Sequence, residues 1–281
     1  IISGVMLMNL LNNIEAIFST LSRQERKVAL KVLQNPQEVQ SMNITKLAKK
    51  AGVSNATITR FVRRMECSDF HNFKLKLAVS AASSPEVPVS SENNSMGDKV
   101  YEFYQKVLQG TWKQLDTDTI HNIVRAITKA RRVYVYGLGS SGYTAQEFTQ
   151  RLIRMGIAAF CTVDSHMMFI DSTIVNSDDV IIAISQSGNT DDVNVACSLA
   201  KQKGTKIISI TGFYQSPLIE LSTWSVVVKN SNFVDNTRFI NSQLAIVYVI
   251  DIITMELMEK SEYSSTMNKT VELIMDRKLS K

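Results

Sequence analysis

Through the first eighty residues apolar positions recur every three or four residues, and beyond about residue 130 they condense into short apolar runs that alternate with amphipathic stretches. Leu10, Leu11, Ile14, Ile17, Phe18 and Leu21 share one helical face. Ser22 and Glu25 are spaced as a capping box opening a second helix through Val28, Leu30 and Leu33, which Pro36 ends. A short helix follows over 44–51, with small Ala48 where another helix crosses it. Gly52 permits a left-handed turn, and Ser54 is placed to cap the next helix. There Ile58, Phe61, Val62 and Met65 fall at i, i+3, i+4 and i+7, a buried stripe that leaves Asn55, Thr57, Thr59, Arg60, Arg63 and Arg64 outside. Leu75, Leu77 and Val79 mark one more helix, and His71 before it reads as a surface or packing residue.

The later pattern predicts helices over 98–115 and 119–130, then strands over 132–136, 158–163, 180–184, 206–210 and 224–228. Between the strands lie helices over 143–155, 167–175 and 191–203, and a short one from Pro217. Almost wholly apolar strands separated by helices specify a five-stranded parallel sheet covered on both faces, a three-layer α/β domain of the flavodoxin-like kind. Such sheets bind ligands at the carboxyl ends of the strands, where the strand order reverses. A helix over 239–258 is apolar nearly all round, so it is expected to pack on the sheet and in a subunit interface.

Between the two patterns, residues 83–97 hold five serines and two of the four prolines, the composition of a linker. The chain is therefore divided into an all-α domain at 9–82, the linker at 83–97 and the α/β domain at 98–281. Charge follows this division: residues 9–82 carry 12 Lys and Arg against 5 Asp and Glu, whereas 83–281 carry 19 against 21. A basic module on a nearly neutral body suits contact with a phosphate backbone.

An apolar content of 44% excludes disorder as the main state. Cys67, Cys161 and Cys197 form no paired spacing, and three histidines do not supply a typical structural zinc site, so no metal is expected and a reducing, cytoplasmic setting fits. No apolar run reaches the roughly 18–20 residues that span a bilayer. The first residues lack the basic start and cleavage site of a signal peptide, and read as appended, with Met6 or Met8 as the natural start.

Two kinds of chemistry are legible. Residues 44–65 have the offsets of a helix-turn-helix, whose second helix enters the major groove of DNA with its N-terminal residues on base edges. Ser54, Asn55, Thr57, Arg60 and Arg63 are the candidate contacts, and the paired half-sites of an operator ask for a homodimer. In the second domain Gly137-Leu-Gly-Ser-Ser-Gly142 follows a strand, opens a helix and matches GxGxxG, with Asp164 ending the next strand. A dinucleotide site must be weighed on that loop alone. Ser185-Gln-Ser-Gly-Asn-Thr190 follows the third strand and presents hydroxyls, a glycine and backbone N–H groups at a helix start, which suits a phosphate monoester. A dinucleotide gives no reason for this second loop, whereas a sugar phosphate uses Ser140 or Ser141 together with Ser185, Ser187 and Thr190. His166, just past the second strand, lies on the same edge as a partner for phosphate or hydroxyl.

The helix-turn-helix and the two loops together resemble the RpiR family of bacterial regulators, which join an N-terminal helix-turn-helix to a sugar isomerase (SIS) domain; the likeness runs from about Leu10 to Met258. The second loop is similar to the phosphate loop of glucosamine-6-phosphate synthase. The resemblance implies a dimer or tetramer that binds operators near sugar catabolism genes and responds to a phosphosugar. It is greatest to regulators of sialic-acid and amino-sugar use, which implies repression relieved by N-acetylmannosamine 6-phosphate or a related hexosamine 6-phosphate. The family usually has glycines where Glu66 and Asp69 stand. The competing class is a sugar-phosphate isomerase, for which Glu147 is the best candidate base. The Glu-x-x-Lys-His-Gly segment that carries catalysis in the synthase is absent from 230–248, so no catalytic residue and no cofactor is assigned.

Overall fold

The capping box at Ser22 forms as its spacing requires: Ser22 Oγ accepts from the Glu25 N–H at 3.3 Å, and the Glu25 carboxylate accepts from the Ser22 N–H at 3.0 Å. It starts α2 (Arg23–Gln34), which follows α1 (Leu10–Ile17). The structure is a computed structural model, and the residues described are 9–82, 95–234 and 241–279. The chain divides into two compact units, the first running to Val107 and also taking in Phe213–Gln215 and the segment that begins at Asn230.

Within the first unit α3 (Pro36–Gln40), α4 (Ile44–Ala51), α5 (Asn55–Arg64) and α6 (Phe70–Ala82) complete the helical set. Ile14, Val28, Leu47, Ile58, Phe61 and Phe73 are wholly excluded from solvent and form one core. The stripe predicted on α5 is therefore the packed one. Gly52 turns the chain between α4 and α5 at φ 63°. Glu66 is the one non-glycine residue with positive φ among those described, at 54°. The left-handed backbone is adopted here without a glycine, and Asp69 caps α6 by accepting from the Asn72 N–H at 2.8 Å. Glu66→Gly is expected to stabilise the chain by about 1 kcal/mol, the left-handed strain relieved less glycine's extra unfolded entropy. Chemical denaturation checks it, and an unchanged midpoint counts against strain at this turn.

Several predicted helix starts move by two or three residues, and two of them show a side-chain cap as the cause. The helix α7 (Met96–Gln114) begins inside the predicted linker, because Ser95 and Asp98 cap each other: Ser95 N–H donates to Asp98 Oδ2 at 2.9 Å and Asp98 N–H to Ser95 Oγ at 3.3 Å. Gly97 punctuates nothing there, and the remainder of the linker at 83–94 lies outside the described residues. The helix predicted over 167–175 begins at Ser165, since Asp164 accepts from the Met167 N–H at 2.9 Å as its cap.

The second unit holds α8 (Thr117–Lys129), β1 (Val133–Gly137), α9 (Ser140–Arg154), β2 (Ala159–Thr162), α10 (Ser165–Ile174), β3 (Val180–Ile184) and α11 (Asp191–Gln202). It continues with β4 (Lys206–Thr211), α12 (Pro217–Leu221), β5 (Trp224–Val227), α13 (Leu244–Met258) and α14 (Ser261–Leu279). The five strands are parallel in the order β2-β1-β3-β4-β5. One face, with Tyr134, Tyr136, Ile181, Ala183 and Ile207, packs against residues of α10, α11 and α12. Alternation along the strands turns Val135, Ile182 and Ile208 the other way, where α9 packs on β1 and β2 and α8 on β5. The start predicted for α13, near Phe239, lies outside the described residues. From Leu244 onward the helix packs against α8, α9 and α14, burying Ile246, Val249, Ile250, Ile253 and Leu257. Among the described residues no helix is long and apolar enough to cross a membrane.

At the amino edge of the sheet, Asp179 is fully buried and accepts from Arg131 Nε at 3.0 Å and its NH2 at 2.7 Å, and from the Asn176 N–H at 3.0 Å. Burial pushes this carboxyl up, but the Arg131 and Asn176 bonds with the arginine charge outweigh it and hold it below the ordinary value. Asp179→Asn is expected to cost about 2 kcal/mol at pH 7, a typical charge-assisted bond. A carboxyl lowered in the folded state stabilises fully above its unfolded value of about 3.9, and that contribution fades as pH falls through the folded value. Unfolding at pH 7 and pH 3 checks this, since a parent-to-variant difference that does not shrink at pH 3 would refute the ion pair's role.

Candidate DNA interface and candidate effector site

In the first unit Ser54 caps α5, its Oγ accepting from the Thr57 N–H at 3.2 Å. Asn55, Thr59, Arg60 and Arg63 are exposed along the helix, as the stripe requires. Thr57 departs from the expectation: it is buried, and its hydroxyl is 3.0 Å from Ser54 Oγ and 3.5 Å from Arg60 NH2. It stands one turn before Phe61 at the edge of the stripe, so the turn into the helix encloses it. Arg64, also predicted outside, donates to the Thr20 carbonyl at 2.9 Å and hydroxyl at 3.0 Å, and stands 3.6 Å from Glu25. It ties α5 to the chain before α2, and the last turn of α5 is left with Arg63 as its free basic group toward solvent. Asn55 Nδ2 reaches Thr45 Oγ1 on α4 at 3.4 Å. Gln24, Lys49, Gly52, Val53, Ser54 and Thr57 line a shallow open groove where α2, α4 and α5 meet. Gln24 was not legible as part of this face, because α2 precedes the motif in sequence.

In the second unit the crossover from β1 through α9 runs to one side of β1, and that from β2 through α10 returns past it to β3. Strand order therefore reverses between β1 and β3, the place where such sheets bind ligands. Gly137 pairs in register with Ile184, so both loops leave the sheet at one level. Gly137 is also a close approach: a Cβ there would meet the Ser141 carbonyl oxygen at 2.5 Å and the Gly142 nitrogen at 3.0 Å. Ser140 is exposed at the first position of α9 and Ser141 is buried.

The second loop is held from within and from both sides. Ser185 is buried with its Oγ 3.0 Å from Thr190 Oγ1, the Asn189 N–H donates to Ser187 Oγ at 3.2 Å, and Ser187 itself is exposed. The Gly212 N–H donates to the Gln186 carbonyl at 3.0 Å and the Leu218 N–H to that of Gly188 at 3.1 Å. Thr190 then begins α11 with no side-chain cap, so the first N–H groups of that helix face outward toward the loop. His166 is exposed in the first turn of α10, whose Ser165 donates to Asp192 in the first turn of α11 at 2.6 Å. Tyr136 pairs with Thr162, which sets the end of β2 level with that of β1 and puts His166 on the same edge as both loops.

Gln186 was not among the side chains named from the sequence, which were chosen for their hydroxyls and for the His166 imidazole. Its amide oxygen and nitrogen are both buried without a partner, as are the hydroxyls of Thr211 and Ser216. Its place between Ser185 and Ser187 was the available signal. Glu147, the candidate isomerase base, accepts from Arg151 Nε at 2.5 Å, and Arg151 also binds Asp251 at 2.5 Å.

Comparison with known proteins finds two family models along the chain. The model of the helix-turn-helix domain, rpiR family, matches residues 8–84, and that of the SIS domain matches 126–255. An uncharacterized HTH-type transcriptional regulator of Clostridium perfringens is 32% identical over 237 residues, covering 82% of this chain and 85% of its own. A further uncharacterized HTH-type regulator, from Haemophilus influenzae, is 27% identical over 96% of this chain and 98% of its own. Among solved structures, the Vibrio vulnificus NanR protein complexed with ManNAc-6P is 26% identical, with a TM-score of 0.58 over 95% of this chain and 98% of that one.

Proposed function

The chain belongs to the rpiR helix-turn-helix family and carries a SIS domain, the make-up of a transcriptional regulator, and from that premise we propose that it represses genes of sialic-acid or amino-sugar catabolism and releases its operator on binding N-acetylmannosamine 6-phosphate or a related hexosamine 6-phosphate. The observation that carries this is the pair of loops at the β1 and β3 ends, Gly137–Gly142 and Ser185–Thr190, level with one another at the reversal of strand order. Ser140, Ser141, Ser185, Ser187 and Thr190 take the phosphate, and His166 takes a sugar hydroxyl. Asn55, Arg60 and Arg63 contact DNA; Ser54 and Thr57 contribute by fixing the start of the recognition helix. The NanR structure with ManNAc-6P supports the choice of sugar.

Two half-sites need two recognition helices, so the working form is a homodimer. A ligand shifts DNA affinity only by the difference between its affinities for the DNA-competent and the released arrangement, typically about 1–3 kcal/mol. No turnover is proposed, in keeping with relatives named as HTH-type transcriptional regulators.

Fluorescence anisotropy on DNA from the gene's own upstream region, at fixed salt, with a panel of hexosamine and hexose 6-phosphates, tests this directly. N-acetylmannosamine 6-phosphate is expected to weaken binding at least several-fold. A response to another sugar phosphate alone would refute the assigned sugar, and strengthened binding would refute the sign. Failure to bind DNA combined with turnover of a sugar phosphate would return the site to the isomerase class.

A further inference from the structure

We propose that the outer face of α10 and α11 is the surface on which a second copy of this chain docks, each helix lying antiparallel on its own counterpart. This rests on the homodimer proposed above, and on neither the effector nor the operator. The whole face belongs to the second unit. The two helices lie side by side, joined where Ser172 Oγ donates to the Ala196 carbonyl at 2.9 Å and Ser165 Oγ to Asp192 at 2.6 Å. Met168, Val193, Ala196 and Cys197 point inward and are buried against the sheet.

The outward side is apolar as well. Met167, Ile170 and Ile174 fall at i, i+3 and i+7 of α10, and Val195 and Leu199 at i and i+4 of α11, so each set shares one helical face. Phe160, on the edge strand β2, points to the same side of the sheet as Thr162, whose hydroxyl donates to Asp171 of α10 at 2.6 Å. Leu199 is 39% exposed and the other five are each about half exposed. Together they show about 500 Å² of apolar side chain, toward the upper end of a monomer's largest patch. A standard interface buries about 800 Å² per partner, and a homodimer interface is about 65% apolar, so this patch with its charged rim has both the area and the composition.

Self-complementarity names the occupant. Copies related by a two-fold axis present the same patch to each other, so every residue must suit whatever the rotation sets opposite it. The outer stripe of α11 and its cap reads Asp192, Val195, Leu199 and Lys203, with acid at one end and base at the other. Laid antiparallel on a copy of itself, it sets Asp192 against Lys203 at both ends and Val195 against Leu199 between them. The stripe on α10 likewise sets Met167 against Ile174 and Ile170 against itself. Asp192 and Lys203 are both exposed, although Lys203 also donates to the Thr173 carbonyl of α10. A parallel arrangement would instead place Asp192 on Asp192 and Lys203 on Lys203, and like charges facing each other across an interface are penalised.

Sedimentation of the full chain, without effector or DNA, tests this. The parent is expected to dimerise, and Ile170→Asp to weaken self-association at least tenfold with an unchanged circular dichroism spectrum, because the side chain it replaces is exposed. A charge swap guards against an indirect effect on the helix. Asp192→Lys and Lys203→Glu are each expected to weaken association at least threefold, and the two together to regain most of that loss. Oxidation of Ile170→Cys is expected to link two copies through position 170, as identified by mass spectrometry of the joined peptide. A dimer that survives Ile170→Asp, or a double variant weaker than either single one, overturns this face and leaves the homodimer standing. A link from position 170 to a native cysteine of the same chain shows the face covered by the chain itself and also overturns it. A monomeric parent overturns the homodimer, and the face with it.

Discussion

Gly188→Ala is expected to abolish the response to sugar phosphate while leaving a folded protein that still binds DNA. Gly188 sits at φ +60°, where an L side chain is strained by about 1–2 kcal/mol. The added Cβ would also begin 2.3 Å from Ser216 Oγ, 2.6 Å from Ser216 Cβ and 2.8 Å from Thr211 Oγ1, all on short side chains with little room to swing away. The loop must therefore move, and with it the N–H groups and the hydroxyls of Ser185, Ser187 and Thr190. Strain of about 3 kcal/mol in total corresponds to roughly a hundredfold loss of effector affinity. Calorimetric titration of the sugar phosphate, with thermal unfolding as the control, measures it. Affinity within threefold of the parent would show that this loop does not hold the phosphate. Ser185→Ala with Ser187→Ala is the milder companion, since it removes hydroxyls and leaves the backbone cradle in place.

The fold was legible because its signals are local. Strands such as Val180–Ile184 are apolar throughout and can only be buried on both faces, so their place in a parallel sheet follows from composition and period. The capping box at Ser22 and the stripe on α5 are likewise written in spacing alone. The α7 boundary was missed because a reciprocal Ser95–Asp98 cap sits inside a stretch whose serines and glycine read as linker. Site residues on the loops could be named from residue type, but burial could not. Thr57 looks like Thr59 in sequence, yet one hydroxyl is enclosed beside Ser54 while the other lies on an exposed residue, because Thr57 stands one helical turn before Phe61 on the packed side of α5. Arg64 looks like Arg63, and only the position of Thr20 and Glu25 beside it separates them. Ser216 escaped for a further reason: it stands at the start of α12, distant in sequence from the loop, and no spacing rule brings it to Gly188.

The same distinction between neighbouring arginines sets the second large effect: Arg60→Ala with Arg63→Ala is expected to reduce affinity for the upstream DNA at least a hundredfold at fixed salt, with stability unchanged. Both side chains are exposed on the recognition helix, three residues apart and so on one face. A guanidinium that forks onto a base or holds a phosphate contributes about 1–3 kcal/mol, so two together contribute about 2–6 kcal/mol, centred above the roughly 2.7 kcal/mol of a hundredfold change. The salt dependence separates the roles. If both arginines hold phosphates, the slope of log affinity against log salt falls by about 2; if one reads a base, the slope falls by about 1 and discrimination between operator and scrambled DNA is lost as well. Arg64→Ala is the control with the opposite signature. Its guanidinium is committed to Thr20 and Glu25, so its loss is expected to lower the unfolding midpoint and to leave the salt slope intact. Because Arg60 also reaches Thr57 at 3.5 Å, the two single variants need not add up to the double one, and the difference between them reports how far the cap and the DNA face act as one unit. Operator affinity within threefold of the parent for the double variant would move the DNA face off α5 altogether.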